Sequence, residues 1–171
     1  ILVRDITMSG STWGSRLLSF ERPLHNIHSL AGAIGLALPT AIGCAIAHPL
    51  RKILALIGDG GLMLNIGEFA TAVQEQLDIV FLVMNDGGYG VMRGIQQKYF
   101  GDRQYFNQLH APDFQQLAEA MGMRAWKLDA SKDFDAVLQA AVAHPGPVLV
   151  EVDMDSIGPL NFAGPPQKKL Y

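Results

Sequence analysis

Residues 52–99 read KILALIGDGGLMLNIGEFATAVQEQLDIVFLVMNDGGYGVMRGIQQKY, and this stretch decides the fold. It contains two apolar runs of β-type residues, 53–57 and 79–84, and each run ends at an aspartate among glycines, Asp59 and Asp86 respectively. A helical pattern separates the two runs, so the unit is predicted to be β-α-β with parallel strands. The carboxyl ends of parallel strands share one edge of a sheet, and ligands bind at that edge in open α/β folds. We therefore expect both aspartates to face one crevice.

Two carboxylates beside glycine-lined backbone are suited to Mg²⁺, which takes one or two carboxylates and completes its shell with water and phosphate oxygens. Backbone N–H groups after Gly60, and a helix start expected near Asn65, would supply partial positive charge for an anion. The residues by themselves thus predict a magnesium–diphosphate site. The alternative is that both glycine-rich segments are ordinary turns that end strands.

The order Gly58-Asp59-Gly60, then 24 residues, then Asn85-Asp86 resembles the thiamine-diphosphate fingerprint of the acetolactate synthase and benzoylformate decarboxylase superfamily. The resemblance implies that magnesium is bound by the side chains of Asp59 and Asp86 and by the carbonyl of Gly88. It also assigns cofactor binding to the neighbouring residues Gly58, Gly60, Gly61, Gly87 and Tyr89. The family motif has asparagine where this chain has Asp86, so the coordinating oxygen is kept and a negative charge is added.

The segment from Gly32 to Pro39 resembles the GGLG-x-ALP segment of the same family, with Ile34 placed 25 residues before Asp59. The resemblance implies that Ile34 props thiamine in its bent conformation and that the carbonyl of Gly32 accepts a hydrogen bond from the aminopyrimidine. The alternative for Ile34 is a core position. A helix predicted from the first loop to about residue 20 begins near Ser9 and Ser11, which either cap it or, by the resemblance, contact the diphosphate.

The resemblance places four residues along the substrate channel: His28, Val91, Met92 and Ile95. Pyruvate-decarboxylase-type members have a glutamate at the position of Met92, and acetolactate synthases have a tryptophan at that of Ile95. Residues 96–100 and 112–122 are nevertheless most similar to acetolactate synthase large subunits. The implied reaction is decarboxylation of a 2-keto acid followed by carboligation. A benzoylformate-decarboxylase-like enzyme that does not ligate is the alternative.

Composition sets further bounds on the protein. With 171 residues, 49% of them hydrophobic, and a formal charge of −3, the chain is expected to form one domain over residues 1–157 with an irregular tail over 158–171. The charge predicts neither nucleic acid nor anionic membrane as a partner.

The apolar run 31–47 has 17 residues, fewer than the roughly 20 that span a bilayer. Cys44 lies within this run and is read as a core residue. A cytoplasmic location is expected.

Strands alternate with helices along the whole chain, which predicts a three-layer, doubly wound α/β fold with about six mostly parallel strands and helices on both faces. In the resembling family, a glutamate on a separate pyrimidine-binding domain, usually from another subunit, helps to activate the cofactor. No part of these residues resembles that domain. We therefore expect no catalytic residue in this chain, a homo-oligomeric enzyme, and an inactive fragment when the chain is alone. A non-catalytic binding or assembly module of the same fold is the second hypothesis.

Overall fold

The computed structural model describes residues 1–12, 14, 15 and 18–158, and these form one α/β unit. Six strands make a single sheet in the order β2-β1-β3-β4-β6-β5, and every pair of neighbouring strands is parallel. The predicted fold class is therefore confirmed. The strands are β1 (Leu2–Arg4), β2 (Asn26–His28), β3 (Ile53–Gly58), β4 (Ile79–Asn85), β5 (Arg124–Leu128) and β6 (Val148–Asp153).

Helices cover both faces of this sheet. In the central strand β4, residues 79, 81 and 83 pack into one core cluster and residues 80, 82 and 84 into another, because successive side chains alternate between faces. The first cluster is covered by α2, α4 and α6, and the second by α7 and α8. The helices are α1 (Met8–Thr12), α2 (Ala37–Ala47), α3 (Asp59–Leu64), α4 (Phe69–Gln74), α5 (Gly90–Tyr99), α6 (Phe114–Ala120), α7 (Phe134–Ala143) and α8 (Met154–Ile157).

The strand order positions the site. The chain moves from β1 to β2 on one side and then returns to place β3 on the other side of β1. The connections after β1 and β3 therefore diverge and leave a crevice above the carboxyl ends of these strands, as in other doubly wound sheets. The loops that carry Asp59 and Asp86 both start at this edge, because β3 and β4 are adjacent and parallel.

The helix start expected near Asn65 is confirmed, because a 3₁₀ turn over Ile66–Glu68 follows this residue and runs directly into α4. A separate short helix, α3, comes before it and begins at Asp59 itself. The side chain of Asn65 caps no helix, since its Nδ2 donates to the carbonyl of Gly35 at 2.7 Å. The helix that contains Ser9 is described from Met8 to Thr12, and residues 13, 16 and 17 of the longer helix predicted here lie outside the described residues. Its first turn is held by Thr7, whose hydroxyl accepts from the N–H of Gly10 at 2.7 Å.

The tail predicted for residues 158–171 lies, apart from Gly158, outside the described residues. Cys44 is half-buried against the first core cluster, in agreement with its expected packing role. Among the described helices, none combines the length and the apolar character that crossing a bilayer requires.

Candidate functional site

A cavity of about 640 Å³ opens at the carboxyl edge of β1, β3, β4 and β6. Most of the residues predicted for the site line it together. These are Ser9, Gly32, Ile34, Gly58, Asp59, Gly60, Gly61, Asp86, Gly88, Tyr89, Val91 and Met92. The spacing of the two glycine-rich loops along the chain thus brings the predicted ligands into one crevice.

Four predicted site residues are not among those that line this cavity. Ser11 and His28 are exposed, at the end of α1 and of β2 respectively. Gly87 occupies a turn with a φ of +71°, a conformation that glycine adopts without strain. Ile95 stands on α5 between Gly94 and Gln97, which line the cavity, but it lines a second cavity of about 310 Å³, which it shares with Met92.

Asp59 is the most buried polar group of the site. It is the first residue of α3, its side chain is 1% exposed, and its Oδ2 finds no hydrogen-bond partner in the part of the chain that the structure describes. Burial, and then the nearby charge of Asp86, raise the pKa of Asp59 to about 6, against the opposing effect of the N–H groups of Gly60 and Gly88. A buried carboxylate oxygen without a partner is costly for the protein alone. A cation at this oxygen would remove that cost.

Asp86 follows β4 and is held by the helix that comes after it. Nη2 of Arg93 lies 3.1 Å from Oδ2 of Asp86 and donates to its backbone carbonyl at 2.8 Å. Burial raises the pKa of Asp86, and the Arg93 guanidinium acts in the opposite direction. The preceding Asn85 ties the loop to the sheet, since its Nδ2 donates to Oε1 of the buried Glu151 at 2.9 Å.

The loop after β4 also orients the backbone of Gly88. An isolated antiparallel bridge pairs Gly88 with Gln108. Its bonds run from the Tyr89 N–H to the Asn107 carbonyl at 2.8 Å and from the Leu109 N–H to the Gly87 carbonyl at 3.0 Å. Neither bond uses the N–H or the carbonyl of Gly88, because these groups face away from the partner strand in a pair of this type. The carbonyl of Gly88 is therefore not used by this bridge, and its N–H faces the carboxylates of Asp59 and Asp86.

A buried aspartate that sequence reasoning did not assign to the site shapes the opposite wall. Oδ2 of Asp5 accepts from the N–H of Gly35 at 2.7 Å, and its Oδ1 accepts from the N–H of Ile6 at 2.8 Å. The bond to Gly35, whose φ is +86°, anchors the segment that carries Ile34 into the cavity. A strand-terminal acidic residue was the only sequence signal for this role.

Close packing explains several glycines of the cavity. A Cβ at Gly60 would lie 2.7 Å from the ring of Tyr89, and one at Gly61 would lie 2.6 Å from Oδ2 of Asp5. A Cβ at Gly90 would overlap Oδ2 of Asp86. Side chains at these positions would push apart the groups that form the cavity wall.

The chemistry of the donor set fits a magnesium–diphosphate group. Two carboxylates and an available carbonyl supply hard oxygen ligands, and Mg²⁺ needs few protein ligands because it keeps water and phosphate oxygens in its shell. The unpartnered Oδ2 of Asp59 supports this fit. No group of three or more His, Cys, Asp or Glu side chains suited to a metal occurs within residues 1–12, 14, 15 and 18–158.

A doubly wound parallel sheet with a polar, glycine-lined cavity at its carboxyl edge defines a cofactor-binding α/β domain. Residues 5–152 match the family described as "Thiamine pyrophosphate enzyme, C-terminal TPP binding domain". The chain therefore belongs to this family, and the resemblance recognised from its motifs is confirmed. Thiamine pyrophosphate and thiamine diphosphate are names for the same compound.

Acetolactate synthases are among the curated relatives of this chain. The chain is 36% identical to the acetolactate synthase large subunit of Pyropia yezoensis over 141 residues, which cover 81% of this chain and 24% of that protein. It is 36% identical to the acetolactate synthase isozyme 1 large subunit of Escherichia coli (strain K12) over 147 residues, 84% of this chain and 26% of that protein. It is 32% identical to the mitochondrial acetolactate synthase catalytic subunit of Saccharomyces cerevisiae over 129 residues, 75% of this chain and 19% of that protein. The chain thus spans about a quarter, or less, of the length of these relatives.

Proposed function

We propose that this thiamine-diphosphate-binding domain holds the diphosphate of its cofactor through Mg²⁺, as part of an acetolactate-synthase-like enzyme that acts on a 2-keto acid. The observation that carries the proposal is the buried, unpartnered Oδ2 of Asp59 beside a second carboxylate, Asp86, in a glycine-lined cavity. Asp59, Asp86 and the carbonyl of Gly88 are the proposed metal ligands.

The remaining assignments follow the cavity wall. Glycines at positions 58, 60 and 61, together with Ser9 and Tyr89, border the space for the diphosphate. Gly32 and Ile34 border it from the segment anchored by Asp5. Val91 and Met92, on the first turn of α5, give an apolar boundary where a substrate side chain would lie.

When bound, thiamine diphosphate supplies a nucleophilic carbon that adds to 2-keto acids and stabilises the carbanion left after decarboxylation. The role of this chain is to bind and orient. No glutamate occurs among the described residues that line the cavity, so the acid–base group that activates the cofactor has to come from elsewhere. We assign it to a pyrimidine-binding domain of the same enzyme, contributed by another subunit of a homo-oligomer.

A non-catalytic module is the less favoured alternative, for an energetic reason. A carboxylate as buried as Asp59, with an unpartnered oxygen, destabilises the protein unless a ligand compensates. A module without cofactor would gain stability from any neutral residue at this position. The proposal of acetolactate-synthase-like carboligation, and not simple decarboxylation, rests on the named relatives.

Isothermal titration calorimetry tests the proposal directly. The 171-residue chain is titrated with thiamine diphosphate in the presence of Mg²⁺ and again in the presence of EDTA, beside Asp59→Ala and a control, Asp129→Ala, at an exposed position after β5. We expect magnesium-dependent binding by the wild type and the control, and its loss in Asp59→Ala. Equal affinity of Asp59→Ala and wild type would defeat the site assignment, and pyruvate decarboxylation by the isolated chain would contradict the need for a second domain.

A further inference from the structure

Arg93 lies on the wall of the cavity and contacts Asp86, one of the proposed metal ligands. It is the single lysine or arginine among the described residues that line the cavity. Its Nη2 contacts Asp86 twice, at 2.8 Å from the backbone carbonyl and at 3.1 Å from Oδ2. Both contacts run between the first turn of α5 and the loop that precedes that helix, so they brace the loop against the helix.

Steric packing confines the same carboxylate from the other side. A Cβ at Gly90 would overlap Oδ2 of Asp86, so this oxygen lies directly against the backbone at the start of α5. Oδ2 is therefore enclosed between the guanidinium of Arg93 and the backbone of Gly90. Oδ1 is the oxygen left to coordinate a cation next to Asp59.

We propose that Arg93 is a positioning residue for the metal ligand Asp86, which it holds in the orientation that presents Oδ1 to Mg²⁺. This inference rests on the proposed function, in which Asp86 is a ligand. It also accounts for an aspartate at a position where the family motif has asparagine. The negative charge that Asp86 adds is paired with the guanidinium of Arg93, 3.1 Å from its Oδ2. This pairing offsets the repulsion between the carboxylates of Asp59 and Asp86.

The expected effect follows from outer-shell partners of metal ligands in general. Removal of such a partner commonly weakens metal binding by about 10- to 100-fold, because the ligand is no longer fixed in its coordinating orientation. Removal of Arg93 also removes a positive charge near the metal, but this does not compensate for the weaker binding of Mg²⁺. Mg²⁺ bound to a diphosphate carries little net charge, so a neighbouring guanidinium does not repel the complex.

The experiment measures the apparent Kd of Mg²⁺ at a fixed concentration of thiamine diphosphate by calorimetry. The variants are Arg93→Met, Asp86→Asn and the double variant. The matched control is Arg51→Met, which makes the same charge change at an exposed arginine before β3, at the opposite edge of the sheet. Arg93→Met is expected to raise this Kd about 10- to 100-fold, and Arg51→Met is expected to leave it within about twofold, because it is distant and screened.

A double-mutant cycle separates positioning from a merely structural role. If Arg93 acts through the carboxylate of Asp86, its removal has a smaller effect in the Asp86→Asn background than in the wild type. Arg93→Met is expected to lower stability in EDTA only slightly, by about 1 kcal/mol or less, because both side chains of the ion pair are partly exposed to solvent. Arg93→Gln, which keeps a donor for the carbonyl of Asp86, is measured in parallel and decides the question should Arg93→Met fail to fold; it is expected to show a smaller loss in the same direction.

Three results would overturn the inference while leaving the proposed function intact. They are wild-type Mg²⁺ affinity in a folded Arg93→Met or, in its absence, Arg93→Gln; an equal loss in Arg51→Met; and an undiminished effect of Arg93→Met in the Asp86→Asn background. Failure of the wild type to bind Mg²⁺ with thiamine diphosphate would instead refute the proposed function itself.

Discussion

Replacing the buried carboxylate of the site by its neutral isostere is expected to stabilise the protein in the absence of cofactor. Burial and the charge of Asp86 raise the pKa of Asp59 from 3.8 to about 6. At pH 7.5 the folded protein must therefore ionise a group that its surroundings favour as neutral. The shift means that ionised Asp59 lowers the free energy of unfolding by about 3 kcal/mol relative to the neutral form.

The sign of the pH dependence follows from where each state binds protons. Between pH 3.8 and about 6 the folded chain holds a proton on Asp59 that the unfolded chain has released. The stabilisation due to Asp59 is thus fully present below about pH 4 and is lost as the pH rises through about 6. Asparagine at this position does not titrate, so Asp59→Asn removes this loss.

The assay is urea unfolding in EDTA, followed by circular dichroism, for wild type and Asp59→Asn at pH 7.5 and pH 4.5. At pH 7.5 the variant is expected to be more stable by up to about 3 kcal/mol, or roughly 6–12 °C in Tm for a chain of this size. At pH 4.5 the difference is expected to fall to about 1 kcal/mol or less. The control Asp129→Asn, at an exposed position, is expected to change stability by no more than about 0.5 kcal/mol at either pH.

Cofactor reverses the ranking. Mg²⁺ with thiamine diphosphate at about 1,000 times its Kd would add about 4.1 kcal/mol to the wild type, more than the advantage of Asp59→Asn, and little to the variant. The reasoning is refuted if Asp59→Asn is no more stable than wild type at pH 7.5 without metal. A gain of equal size at both pH values would also contradict it, because it would show that the gain does not come from ionisation.

Three further outcomes can be checked. Gly61→Ala would place a Cβ 2.6 Å from Oδ2 of Asp5 and is expected to lower stability by about 1–3 kcal/mol in urea unfolding; the matched Gly43→Ala, in open space within α2, should instead raise it by about 0.5–1 kcal/mol. Burial raises the pKa of the Cys44 thiol, so its alkylation by iodoacetamide at pH 8 is expected to be slower than that of a cysteine in an unstructured peptide; equal rates would contradict this. Asp113→Ala removes the cap that accepts from the N–H of Gln116 at 2.9 Å and should cost about 1 kcal/mol in thermal unfolding, whereas Asp113→Asn, which can still cap, should cost less.

The strands and the main cavity were predictable because their signals are local. The central strands β3 and β4 are short apolar runs, and such runs end where a turn residue interrupts them. Parallel pairing then requires their carboxyl ends to share one edge. The meeting of Asp59 and Asp86 in one cavity follows from these two facts.

Side-chain partners that are distant in sequence could not be predicted in the same way. Asn65 is a residue type that commonly caps helices and it precedes a helical turn, but its side chain makes no capping hydrogen bond. Instead, its Nδ2 donates to the carbonyl of Gly35, 30 residues earlier in the chain. Ser9 and Ser11 are two residues apart, yet only Ser9 is buried and lines the cavity. A short helix exposes one and encloses the other, and its orientation depends on the packing of the whole first loop.

The amino-acid sequence by itself determined the parallel α/β architecture and the pair of acidic residues at its ligand-binding edge, since strand-forming runs and glycine-flanked turns act within a few residues of one another. Only the tertiary structure decided how those acids are held. In the part of the chain that the structure describes, Asp59 is buried with Oδ2 unpartnered, and Arg93 forms an ion pair with Asp86. Asp5 accepts a hydrogen bond from Gly35 and so anchors the segment that carries Ile34. The physical reason is that burial and charge pairing depend on groups brought together from distant parts of the chain, and no local pattern records which of them will meet.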